Sequence, residues 1–458
     1  MIIVSTKSED FEGVFKRILA RNISPDSTIE DRVRKIIIDV RERKDKALIE
    51  YTRKFDGWNP VSPEKLVMTK KEIEEAEKYI TREDRKAIEK SAERIENYHK
   101  STFPGNVIYK ERGAKIERVV IPLELVGLYC PGGKAGYPST VLMSAIPAKV
   151  AGVKKIYLAT PAVQGKINPY TIFAAKVVGV DAIFKIGGAQ AIAAFAFGTD
   201  VVPSVDKIAG PGNIYVATAK RLVQGSVGVD LIAGPSELVT ICDGSVHPLI
   251  PAIDIIAQAE HDERALCVAI SHVGPYLHQI KNIVYFLMKV MPRRDIIEEA
   301  FRSQSVLIET RSLEESIDLV NRIAPEHVGV LTKNAMKVAR EIRNAGTVFV
   351  GANSPPAVGD YIAGPSHVLP TGGTARFASG LSVEDFVKKT NIIFFTRRRM
   401  VEISEHAIRL ANMEGLFGHA FSIQKRLQRT IKSIDYILKM YDEESKKTNK
   451  NNKKANKK

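Results

Sequence analysis

At 458 residues, with 44% apolar and 26% charged residues, the chain exceeds one ordinary core and has the balance of a soluble protein of two or three domains. No apolar run reaches the roughly 18 residues of a membrane span, and the opening Met-Ile-Ile-Val-Ser-Thr-Lys-Ser-Glu-Asp lacks the features of a secretion signal, so a cytoplasmic address is expected. Seven lysines and no acid between Lys446 and Lys458 supply nearly half of the +15 net charge, and no nucleic-acid motif or basic helix with interleaved aromatics accompanies them, so no specific nucleic-acid partner is expected.

Residues 1–115 are densely charged and helical in pattern. Between Ile29 and Phe55, the residues Val33, Ile36, Ile37, Val40, Leu48 and Tyr51 fall on recurring helical faces. Thr81 stands where an N-cap belongs, ahead of Glu83 and Asp84 and a helix through Ile88, Ile95 and Tyr98. From 116 to 233 the texture changes. Apolar runs at 125–129, 155–159, 182–186 and 207–209 each end in a Gly- or Pro-bearing turn and alternate with helical stretches, the pattern of a parallel sheet with crossover helices. Ligands of such sheets sit outside the carboxyl ends of the strands, where these turns fall.

A second α/β unit is expected over 234–380. It has strands at 238–242, 265–271 and 305–309, a helix at 248–260, and an inner strand at 346–350. Residues 381–445 turn helical again, most clearly at 403–413 and 421–440, and 446–458 reads as a disordered lysine-rich tail. The fold class is therefore α/β: two successive Rossmann-like parallel-sheet units with N-terminal helices and a C-terminal helical segment. The three cysteines, Cys130, Cys242 and Cys267, lack C-x-x-C spacing and suit buried apolar positions better than disulfides.

Chemistry-bearing side chains gather in a few segments. Gln258 and His261 lie one helical turn apart and can address a common atom. Glu326 and His327 are adjacent, and both residue types serve as general bases near neutral pH. Asp360 and His367 fall inside 351–373, a long Gly-, Pro- and Ser-rich stretch of the kind that forms sites. Glu414 and His419 stand between two predicted helices. Two histidines with oxygen donors suit zinc, with manganese or cobalt as substitutes. Taken singly, the Gln258/His261 and Glu326-His327 pairs fit a solvated helix end or surface pair better than a site.

The order of the motifs says more. Tyr129-Cys-Pro-Gly-Gly133, Gly187-Gly-Ala-Gln-Ala-Ile192, Gly210-Pro-Gly-Asn213, Gly234-Pro-Ser-Glu237, Gln258-Ala-Glu-His261, Ala324-Pro-Glu-His327, Gly359-Asp-Tyr361, Ser366-His-Val-Leu-Pro-Thr371 and Glu414-Gly-Leu416 with His419 resemble the histidinol dehydrogenase family, from the N-terminal helices to about Lys439. By position, the resemblance implies zinc ligands at Gln258, His261, Asp360 and His419 and a catalytic acid/base pair at Glu326 and His327. It also implies substrate contacts at Ser236, His327, His367 and Glu414 besides those ligands, and an NAD site at Tyr129, Gln190 and Asn213. It implies oxidation of L-histidinol to L-histidine through a bound aldehyde with two NAD, the last step of histidine biosynthesis. It further implies a homodimer in which residues 381–445 form a dimerisation segment whose Glu414 and His419 complete the partner's site.

Two readings compete with this one. A relative on the same scaffold could oxidise another small polar alcohol such as a sulfonated diol, although Glu414 suits a cationic amino alcohol better than an anion. A binding protein that has kept the fold without catalysis is the other, and the presence of both bases and all four ligands opposes it. There is no G-x-G-x-x-G fingerprint, so cofactor placement rests on the resemblance alone. The lysine-rich tail lies outside the family pattern and receives no catalytic role.

Overall fold

The alternation read in the sequence becomes two parallel sheets, each with a core on both faces. The computed structural model describes residues 1–21, 27–132, 136–428 and 439. Among these, the strands in chain order are β1 (Ile2–Ser5), β2 (Val107–Glu111), β3 (Ala114–Pro122), β4 (Leu125–Tyr129), β5 (Lys155–Ala159), β6 (Ala182–Phe184), β7 (Lys207–Ala209), β8 (Gly228–Val229), β9 (Glu237–Cys242), β10 (Leu266–Ser271), β11 (Val306–Glu309), β12 (His327–Leu331), β13 (Thr347–Val350) and β14 (Val387–Phe395).

The first sheet has the order β6-β5-β4-β7-β8, with every pair parallel. Successive side chains alternate between its faces. Val126, Leu128, Ile156 and Leu158 join one core with the helices Pro138–Ala151 and Pro169–Val178. Tyr129, Ala159 and Phe184 join the other with the helices Ser27–Arg43 and Gly188–Phe197. The second sheet, β1-β11-β10-β9-β12-β13, is also parallel throughout. Its central strands β9 and β10 are buried along their whole length, as strands covered on both faces must be.

The N-terminal helices divide between the sheets. Phe11, Val14, Phe15 and Ile18 of the helix Phe11–Leu19 pack on the second sheet, whereas Val33, Ile36, Ile37 and Val40 pack on the first. Helix Arg82–Ser101 begins where Thr81 predicts, with the Thr81 Oγ1 accepting the Asp84 N–H at 3.1 Å.

Three element expectations change. The strand at 346–350 exists as β13 but lies at an edge, because β12 takes the place between it and β9. Residues 381–445 are not uniformly helical: β14 precedes the helices and joins a three-stranded sheet of order β14-β3-β2. The terminal helix starts at Phe417, earlier than expected, and ends at Leu427; of the remaining 421–440 expectation, residues 429–438 and 440 lie outside the described residues, as does the 446–458 tail.

Contacts group the chain into two compact units. One comprises residues 1–104 and 121–388 and holds both parallel sheets. The other comprises 105–120 with the residues from 389 onward, where the helices Arg397–Met413 and Phe417–Leu427 pack together and an Arg399–Glu111 ion pair at 2.7 Å ties helix to strand. No helix among the described residues is long and apolar enough to cross a membrane.

Candidate active site

Glu326 and His327 sit where a helix meets a strand. Helix Leu313–Ile323 ends at Ala324, whose φ of +50 turns the chain, and His327 opens β12. The Ala-Pro pair therefore ends a helix. Both side chains are buried, at 6% and 4% exposure. A neighbouring strand holds them: the Glu237 N–H donates to Glu326 Oε2 at 2.9 Å, and the Glu237 carbonyl faces His327 Nδ1 at 3.1 Å. A carbonyl only accepts, so Nδ1 carries the proton and Nε2 is left as the basic nitrogen.

Burial sets the charge states. Desolvation pushes the Glu326 carboxyl well above the usual carboxylate range, and the nearby Glu237 and Asp360 carboxylates add to the shift. Desolvation also lowers His327 and His367 to about 4, so both imidazoles are neutral at physiological pH. His367 Nδ1 donates to the Asp360 carbonyl at 2.9 Å, and its Nε2 stands 3.3 Å from Thr140 Oγ1.

One cavity of about 520 Å³ gathers the candidates: Ser236, Gln258, His261, Glu326, His327, Asp360 and His367 all line it. Gln258 lies in the last turn of the helix Leu249–Ala259 and His261 just beyond its end, and both line the cavity. Asp360 is pushed up to about 7 by burial alone, with no cation or donor among the described residues to offset it. An uncompensated carboxylate beside a histidine and an amide is a donor set that fits a divalent cation. It is incomplete by itself: among the described residues no group of three His, Cys, Asp or Glu side chains is assembled. Glu414 and His419 belong to the other unit, at the end of helix Arg397–Met413 and in the first turn of helix Phe417–Leu427, and both are exposed.

The cavity opens at the amino ends of β9 and β12, because Ser236 precedes β9 and His327 is the first residue of β12. The carboxyl-end expectation concerns the first sheet. There Tyr129 ends β4, Gln190 follows β6 and Asn213 follows β7, and all three line a second cavity of about 930 Å³. Gln190 is buried and neither of its amide atoms finds a partner among the described residues. Arg32, Lys35 and Lys54 border the same cavity. An orphaned amide, a buried tyrosine and three cations suit an anionic dinucleotide. Asn213 has a structural task too, its Oδ1 capping helix Ile214–Val223 through the N–H groups of Tyr215 and Val216.

Several lining residues carried no sequence signal. Asp56, pushed up to about 6 by burial, borders the second cavity, and Tyr137 and Arg293 border the first. Glu237 lies inside the Gly234-Pro-Ser-Glu237 motif, yet nothing local hints at its contacts with Glu326 and His327.

The model of the histidinol dehydrogenase family matches residues 19–427. A histidinol dehydrogenase of Pseudomonas putida is 45% identical over 419 residues, covering 91% of this chain and 95% of that protein. One from Geobacter sulfurreducens is 44% identical over 93% of this chain and 100% of its own length. The crystal structure of a histidinol dehydrogenase from Elizabethkingia anophelis superposes with a TM-score of 0.88 at 35% identity, covering 93% of this chain and 98% of that one.

Proposed function

Because the chain belongs to the histidinol dehydrogenase family, an NAD-dependent oxidoreductase family, and oxidises histidinol in histidine biosynthesis, we propose that the 520 Å³ cavity is its active site. The observation that carries this is the convergence of both candidate bases and three candidate ligands on that single cavity.

In this reading Gln258, His261 and Asp360, with the partner's His419, hold one zinc ion per subunit. Zinc, when bound, supplies Lewis-acid orientation of the amino alcohol without redox chemistry of its own. Tyr129, Gln190 and Asn213 would hold NAD, which would supply the hydride acceptor. The remaining work falls to the protein's own side chains. Ser236, His367 and the partner's Glu414 orient the substrate, the last as a carboxylate matched to a cationic amine. His327, neutral and protonated at Nδ1, takes the alcohol proton at Nε2 as the first hydride leaves carbon. Glu326 takes a proton from the water that adds to the aldehyde, and the hydrate then loses the second hydride. Burial makes the ionised Glu326 carboxylate a stronger base than a solvated one, which favours that water addition.

A homodimer belongs to the same reading. Ile392, Ile393, Phe394, Leu410, Met413 and Phe417 of the second unit are all at least half exposed, an apolar burden that a monomer seldom carries. So does a cytoplasmic address, in keeping with three buried cysteines that form no disulfide.

The test is an NADH-yield assay on histidinol and on a sulfonated diol, with the native chain and with Glu326→Gln. The native enzyme is expected to give two NADH per histidinol and none from the diol. Glu326→Gln is expected to slow aldehyde oxidation by at least about 100-fold and alcohol oxidation far less. Equal losses in both half-reactions would reassign Glu326, and turnover of the diol would reassign the substrate.

A further inference from the structure

We propose that Arg21 and Glu237 form a buried positioning pair that aims the Glu326 carboxylate for the aldehyde-oxidising step. The inference rests on Glu326 acting as the base of that step.

Three segments of the site meet at the Glu237 side chain. Arg21 grips it with a two-pronged contact, Nε to Oε1 at 2.8 Å and Nη2 to Oε2 at 3.0 Å. The Gly372 N–H donates to Oε1 at 2.8 Å, and the Glu326 N–H donates to Oε2 at 3.2 Å. The Glu237 N–H in turn donates to the Glu326 carboxylate, so the two glutamates hold each other reciprocally, backbone to side chain. One carboxylate thus links the strand start at 237, the loop at 324–326 and the loop that follows His367.

Arg21 adds a second hold on the same loop. Its Nη2 also donates to the Ile323 carbonyl at 2.8 Å, one residue before Ala324 turns through φ +50. A left-handed alanine is strained, and it persists only where neighbours fix it. The guanidinium supplies that fixation from outside the loop, since Nη1 is anchored on the Ile18 carbonyl of the N-terminal helix. Both partners are nearly excluded from solvent, with side-chain exposures of 6% and 4%. Neither group stands among the candidate bases or ligands, and a planar fork matched to a carboxylate is the arrangement that fixes direction as well as charge. With Glu237 held by Arg21, Glu326 keeps its own oxygens for the cavity and for the single N–H that orients it.

The experiment compares Arg21→Ala and Glu237→Gln with the native dimer, following NADH formed from histidinal supplied directly and, in a single turnover, from histidinol. Arg21→Ala is expected to lose about 10- to 100-fold in kcat on the aldehyde, the cost of an ångström-scale misplacement, with a much smaller loss on the alcohol and little change in KM. Arg21 borders a cavity of about 580 Å³, so added guanidinium or methylguanidinium can reach the vacated position and is expected to restore part of the aldehyde rate. A purely structural role gives parallel losses in both half-reactions and no such rescue, and that result overturns the proposal. If Arg21→Ala does not fold, Glu237→Gln carries the same readout, and unchanged aldehyde turnover in it is equally fatal. Glu326→Gln run alongside separates the two claims. If it spares aldehyde oxidation, the role of Glu326 is wrong; if it alone impairs that step, the positioning pair is wrong.

Discussion

Asp360 shows most plainly what a single residue contributes. Burial lifts its carboxyl from 3.8 to about 7, and no charge among the described residues opposes that shift. A carboxyl with a raised folded-state value stabilises the fold fully below its unfolded value and loses that contribution as pH rises through the folded one. Zinc-free protein should therefore lose stability between about pH 4 and pH 7 on this group's account, and a cation at Asp360 should return it. Asp360→Asn is expected to raise the unfolding midpoint of zinc-free protein at pH 8 by a few degrees and to abolish the rise that zinc gives the native chain. Thermal melts with and without zinc check both halves, and an undiminished zinc response in the variant would remove Asp360 from the ligand set. The residue types of the site were legible in the sequence, since an adjacent Glu-His pair and a Gln-x-x-His spacing announce their chemistry locally. Which imidazole nitrogen is basic was not legible, because it depends on a carbonyl 90 positions away. Arg21 was invisible for the same reason, being 216 positions from the carboxylate it grips.

Among the elements, the Gly210 turn is the most constrained. Its φ is +113, and a Cβ there would lie 2.1 Å from the Tyr129 carbonyl oxygen, a backbone atom that cannot swing aside. The turn is pinned from both sides: the Gly210 N–H donates to Asp230 Oδ2 at 2.7 Å, and its carbonyl accepts from Lys220 Nζ at 3.0 Å. Lys220 and Asp230 are themselves a buried ion pair. Gly210→Ala is expected to cost about 1–3 kcal/mol from backbone strain alone and to raise the KM for NAD, because Tyr129 and Asn213 flank the turn. Thermal unfolding and cofactor titration measure the two effects separately, and a lowered midpoint with unaltered KM would detach the turn from the cofactor site. Elements with local patterns were legible: strands such as Lys155–Ala159 and Lys207–Ala209 stand where their apolar runs and the Pro or Gly turns after them predict. Those defined by distant pairing were not. β1 is four residues whose partner lies at 306–309, and β12 follows so closely on a helix that its five residues lack a turn signal of their own.

For the whole molecule, the proposed ligand set draws on residues of both units. Gln258, His261 and Asp360 belong to the unit of the two parallel sheets, whereas Glu414 and His419 belong to the second unit with its exposed apolar side chains. Sequence order cannot say whether those units cooperate within one chain or across two, because both arrangements use the same residues at the same spacing. Mixing two inactive variants separates them. In the proposed dimer, each site combines His261 of one subunit with His419 of its partner. A dimer of one His261→Ala chain and one His419→Ala chain then has one site lacking both histidines and one site intact. Co-expression gives about half mixed dimers, each with one working site of two, so activity should return to about one quarter of the native level. If His419 serves its own chain, each site in the mixed dimer lacks one ligand and activity stays at the level of the parent variants. Turnover of the co-expressed pair against the two variants mixed after folding therefore reads directly whether catalysis belongs to the chain or to the dimer.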